Sequence, residues 1–91
     1  MIPEKYEIKD IRDTLKQFLE GRLDSLQLSD YAKAGQAAYA EEIGIASDID
    51  EFCNETLYEI AMSRDIHETP AEFEIFVRQL LDKVVLRMES A

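Results

Sequence analysis

The chain has 91 residues, 46% hydrophobic and 33% charged, enough for one modest core and predicting a single helical domain over residues 1–91. Twenty acids against ten bases give a net charge of −10, which argues against binding nucleic acid or an anionic membrane. No apolar run is long enough to span a bilayer, the stretch Met1–Glu7 lacks the basic and apolar regions of a signal peptide, and one cysteine excludes an internal disulfide; together these predict a cytoplasmic protein.

Hydrophobic periodicity predicts four helices. The first covers Glu7 to Glu20, with Ile8, Ile11, Leu15, Phe18 and Leu19 forming an apolar stripe. Gly21 follows where a left-handed residue would end it. Asp24 stands three residues before Gln27, a capping-box spacing for a second helix over Ser25 to Glu42. Its inward face is expected to hold Leu28, Tyr31, Gly35 and Ala38, with Glu42 or Ile43 closing it. The small residues Ala32, Ala34, Gly35, Ala37 and Ala38 would let a neighbouring helix come close, and a mid-helix glycine, which costs about 1 kcal/mol relative to alanine, implies a packing reason.

Gly44 and Ser47 mark the next break. The third helix is expected over Asp48 to Ser63, with Ile49, Phe52, Cys53, Thr56, Leu57 and Ile60 on one face, followed by a polar loop from Arg64 to Glu68. Thr69-Pro70-Ala71-Glu72 then carries a strong start signal: a capping hydroxyl, a proline suited to the first helical position, and a glutamate able to return a bond to the cap. The last helix should run to Met88 and bury Phe73, Phe76, Val77, Leu80, Leu81 and Val84. No strand alternation is present, and short connections favour antiparallel neighbours. The expected fold is all-α, an antiparallel up-down four-helix bundle.

The charge is unevenly distributed. From Asp24 to Phe76 thirteen acids face two bases, Lys33 and Arg64, a balance of −11, whereas the two ends together carry +1. Within the third helix Glu51, Glu55 and Glu59 repeat at i, i+4 and i+8, with Asp48 beside them and Tyr58 and Met62 near the same outer face. No Lys or Arg occurs in the thirty residues between Lys33 and Arg64. Like charges at i, i+4 cost a few tenths of a kcal/mol per pair. An uncompensated row with an aromatic in it favours a docking surface for a cationic partner over a mere solubility device, since tyrosine and methionine are enriched in interface cores and complementary charge speeds encounter. The candidate partner-binding residues are Asp48, Glu51, Glu55, Tyr58 and Glu59, with Glu41 and Glu42 as flanking contributors.

Little else in the chain points to chemistry. A di-iron bundle needs paired Glu and Glu-x-x-His, but His67, the single histidine, is preceded three residues earlier by Arg64. Cys53 lies on an apolar face with no histidine in its helix to activate it, so it is expected to be a core thiol. The three glycines are isolated, so no phosphate loop is formed. The expected protein is not an enzyme and needs neither metal nor cofactor.

Parts of the chain resemble two known families. Leu23-Asp24-Ser25-Leu26 resembles the Asp-Ser-Leu of acyl and peptidyl carrier proteins, and Glu41-Glu42-Ile43-Gly44-Ile45 is similar to the acidic end of their second helix. That likeness implies phosphopantetheine carried on Ser25. The chain departs from the carrier pattern in the short Gly21–Asp24 connection, where carriers have a long loop, and in its longer second and last helices. The stretch from Phe18 to Asp30 resembles the helix-one-to-two junction of colicin D-type immunity proteins: Phe18 and Leu19, then Arg22, the spaced aliphatics Leu23, Leu26 and Leu28, and Ser29 before Asp30. This resemblance extends more loosely to length, four helices and an aliphatic last helix. It implies an inhibitor that binds the nuclease domain of a tRNA-cleaving toxin and blocks its active site with acidic residues that mimic the RNA backbone. The reading from sequence is therefore an acidic immunity-type protein with a basic nuclease toxin domain as partner. The alternatives are a carrier modified on Ser25, or a structural or regulatory bundle, as a monomer or homodimer, whose acidic face only confers solubility.

Overall fold

The computed structural model describes residues 6–66 and 69–90, with side chains described except at 64–66. It is an antiparallel up-down four-helix bundle, with no strand among the described residues: α1 (Ile8–Leu19), α2 (Ser25–Ala38) followed by a π-helical turn (Tyr39–Ile43), α3 (Asp48–Ile66) and α4 (Pro70–Glu89). Helix α2 packs chiefly on α3 and α1 chiefly on α4, with lighter contact between the two pairs.

Local sequence sets the helix ends. Helix α1 closes in a Schellman motif: the Gly21 N–H donates to the Phe18 carbonyl at 3.1 Å and the Arg22 N–H to Gln17 at 2.8 Å, with Gly21 at φ +82°. The expected capping box of α2 forms in both directions. The Gln27 N–H donates to Asp24 Oδ1 at 2.7 Å, and the Asp24 N–H to Gln27 Oε1 at 2.9 Å. At α4, Pro70 takes the first helical position and the Thr69 hydroxyl accepts from the Glu72 N–H at 3.2 Å. Here the capping bond runs one way.

Two expectations are corrected. The second helix does not continue as an α-helix to Glu42. Beyond Ala38 it widens into the π turn, closed by the Gly44 N–H on the Tyr39 carbonyl at 3.0 Å with Gly44 at φ +75°. The wider turn rotates the residues beyond it off the inward stripe, so Glu42 and Ile43 are exposed and buried Tyr39 completes the face instead. The third helix does not stop at Ser63 but runs one turn further, to Ile66. Polar composition is no stop signal, and between Ser63 and Ile66 there is neither glycine nor proline. His67 and Glu68 lie outside the described residues.

One hydrophobic cluster draws on all four helices: Ile11 and Leu15, Leu28, Tyr31 and Ala32, Cys53, Leu57 and Ile60, and Phe73, Val77, Leu80 and Val84. The expected stripes hold, with Ile8, Phe18, Leu19, Phe52, Phe76 and Leu81 half-buried at its margins. Gly35 has the packing reason its position implies. A Cβ there would stand 2.7 Å from Leu57 Cδ1 and 2.9 Å from Tyr6 Cδ1.

The core also holds polar atoms. The Tyr39 hydroxyl donates to the Tyr6 carbonyl at 2.8 Å, fastening the chain ahead of α1 to the end of α2. The Tyr31 hydroxyl is buried with no hydrogen bond among the described residues; the Thr14 hydroxyl alongside donates instead to the Asp10 carbonyl at 2.7 Å. Tyr39→Phe should therefore cost about 1 kcal/mol or more, whereas Tyr31→Phe should be neutral or stabilising. Urea melts of both variants check this, and a Tyr31→Phe loss as large as that of Tyr39→Phe would show that Tyr31 has a partner.

Burial raises the pKa of Tyr31, Tyr39 and Cys53 above the ordinary values of 10.0 for tyrosine and 9.0 for cysteine. The folded state thus holds protons that the unfolded state releases. This contribution is fully present below about pH 9 and is lost as pH rises above the unfolded-state values. Denaturant midpoints should fall progressively above about pH 9, and the fall should shrink in Tyr31→Phe.

Candidate functional site

Helix α3 starts where Ser47 ends the connection. The Ser47 hydroxyl accepts from the Asp50 N–H at 3.2 Å, the Asp50 carboxylate accepts from the Ala46 N–H at 3.1 Å, and the Glu51 N–H reaches the Ser47 carbonyl at 3.1 Å. From this start the register follows. Cys53, Thr56, Leu57 and Ile60 point into the core, and Glu51, Glu55, Tyr58, Glu59 and Met62 stand exposed. Successive carboxylates of the row lie about 6 Å apart along the axis. Tyr58 retains 52% of its surface and Met62 44%, large apolar areas left open beside the acids.

The acids of α3 are not equivalent. Asp48, Asp50 and Glu51 fall in the first turn, where negative charge is favoured by the positive end of the helix dipole. Glu55 and Glu59 lie beyond that turn and have no such role. Among the described residues the ion pairs are Lys9–Glu7, Arg12–Asp13 and Arg78–Glu74, so none of Asp48, Glu51, Glu55 or Glu59 is paired within them. No three His, Cys, Asp or Glu side chains among the described residues gather into a metal-binding group.

The structure places four of the six predicted acids in two separate grooves, and Asp48 and Glu51 line neither. Glu55 and Glu59 line a groove of about 180 Å³ between α3 and α4, with Phe52, Thr56, Leu80 and Lys83. Glu41 and Glu42, both exposed, line a separate groove of about 550 Å³ with Tyr6, Ala34, Ala37 and Ala38. Burial, and secondarily the charge of Glu42, raise the Tyr6 pKa. The small residues of α2 thus serve two ends: Ala32 and Gly35 face the core, while Ala34 and Ala37 floor this outer groove.

Counting charge along the chain does not find Lys83. It comes from a helix remote in sequence, and no local pattern marks it as facing Glu55 and Glu59. Ser25 is the first residue of α2 and only partly exposed, directly after the capping Asp24. Cys53 is buried in the core, where desolvation raises its thiol pKa and disfavours the reactive thiolate.

Comparison with family models, curated proteins and solved structures finds no match for this chain. Among the described residues no helix is long and apolar enough to cross a membrane.

Proposed function

We propose that this chain is an acidic immunity-type inhibitor that binds a basic nuclease domain and occupies its nucleic-acid cleft with the carboxylates of α3. The observation that carries the reading is the exposed row Glu51, Glu55 and Glu59, unpaired among the described residues and set beside the open surfaces of Tyr58 and Met62. An isolated carboxylate on a surface does little. Several held on one rigid helix can meet the cationic groups that a nuclease uses to grip phosphates, through short charge-assisted bonds. A rigid helix also lowers the entropic cost of holding them in place. The resemblance of Phe18–Asp30 to the colicin D-type immunity junction supports the same class of partner.

The test is inhibition of tRNA cleavage by colicin D-type nuclease domains, with the purified protein added at low and at high salt. Inhibition with an association rate that falls as ionic strength rises is the expected result. A protein that leaves every such domain fully active, and whose intact mass from its own host carries a covalent adduct on Ser25, would be a carrier instead.

A further inference from the structure

The groove between α3 and α4 is where the acidic row of α3 meets side chains of a second helix. Exposed Glu55 and Glu59 line it from α3 and exposed Lys83 from α4, and its other lining residues are half-buried Phe52 and buried Thr56 and Leu80. Lys83 is exposed and makes no ion pair within 4.0 Å among the described residues, so its ammonium is free to swing away. We propose that this groove receives a single arginine side chain of the basic partner, its guanidinium between Glu55 and Glu59 and its methylene stem on Phe52 and Leu80, with Lys83 opposing and so tuning that contact. The inference rests on the inhibitor reading and locates the principal contact within the acidic row.

The chemistry favours arginine over other cations. A guanidinium is planar, more weakly hydrated than an ammonium, able to share its fork between two carboxylates, and stacks on an aromatic ring. Lysine would bring a compact, strongly hydrated charge to a groove that already contains one. A metal ion would find two carboxylates and a lysine ammonium, with no third carboxylate, thiolate or imidazole among the groove's lining residues.

Lys83 provides a test by sign. If the groove takes a cation, Lys83→Met removes a like charge and tightens binding; if Lys83 itself grips the partner, the same change weakens it. The probe is N-acetylarginine amide, titrated into the isotope-labelled protein and followed by amide NMR shifts, with N-acetylcitrulline amide as the neutral isostere. Saturable shifts confined to residues 52–59 and 80–83, absent with citrulline, are expected. Lys83→Met should tighten this binding about two- to fivefold, and Glu59→Gln should weaken it by a similar factor. Shifts scattered equally over Glu41, Asp48 and Glu74, or a Lys83→Met variant that binds no tighter, would overturn the proposal. The probe requires no nuclease, so the two readings fail separately. A groove indifferent to arginine leaves inhibition by the rest of the row standing, and a chain that inhibits no nuclease while the groove still binds arginine sinks the inhibitor reading alone.

Discussion

If α3 carries the proposed inhibition of a basic nuclease domain, reversing Glu51 and Glu55 to lysine together should abolish it while leaving the bundle folded. Both side chains are exposed and lack an ion pair among the described residues, so their loss breaks no such pair. Within the helix the two new lysines repel each other as the glutamates did, and the lysine at position 55 gains an attractive i, i+4 neighbour in Glu59. Lysine at position 51 sits in the first turn against the helix dipole, a cost of about 0.3–1 kcal/mol. Thermal stability should therefore change by under about 1 kcal/mol. At the proposed interface the change is expected to be much larger, because two attractive contacts would become repulsive against a basic cleft. Placing like charges together across an interface costs several kcal/mol. A loss of about 3 kcal/mol or more, at least roughly a hundredfold in affinity, is expected. Circular dichroism verifies the fold and calorimetry against the nuclease domain measures the loss. An unchanged affinity would remove the α3 row from the interface.

The largest effect on stability is expected at Gly35. On an isolated helix, Gly→Ala would stabilise by about 1 kcal/mol. Here the added methyl group would overlap Leu57 Cδ1 and the Tyr6 ring. Leu57 is fully buried and Tyr6 nearly so, which leaves neither much room to give way. Overpacking of this kind costs about 1–3 kcal/mol. The net result for Gly35→Ala should be a loss of up to about 2 kcal/mol, lowering Tm by up to roughly 15 °C in a domain this small. Shortening the opposing side chain should relieve it, so Gly35→Ala should cost measurably less in a Leu57→Val background, a coupling of about 0.5 kcal/mol or more. Strict additivity of the two changes would contradict a direct clash. Gly21→Ala makes a useful contrast. Nothing stands within 4 Å of its added Cβ, yet φ of +82° is strained for any residue with a side chain, so it should lose about 1 kcal/mol that no partner substitution restores.

Most of the fold was legible in the sequence because its signals are local. The apolar repeat of each helix, the Asp24–Gln27 box, Gly21 and the Thr69-Pro70 start depend on residues within one or two turns of each other, and each forms as expected except that Glu72 returns no bond to Thr69. The end of the second helix was not legible, because the deciding interaction is remote. Tyr39 is held inward by the Tyr6 carbonyl, thirty-three positions away, and the π turn that accompanies it carries Glu42 and Ile43 into solvent. The third helix runs past Ser63 for a simpler reason: a polar stretch without glycine or proline contains nothing that breaks a helix.

The candidate site divides along the same line. Periodicity alone dictates that a base-free row of acids is presented on one face of the third helix, since a 3.6-residue repeat and a single apolar stripe leave those positions no other direction. Which of the acids share a surface is a matter of helix packing. The fold separates Glu41 and Glu42, beside Tyr6, from Glu55 and Glu59, and sets Lys83 opposite the latter pair. Helical periodicity fixes the direction of a side chain relative to its own axis and nothing more. Its neighbours across a groove depend on how two axes pack, and the packing of α3 on α4 brings together residues far apart in the chain.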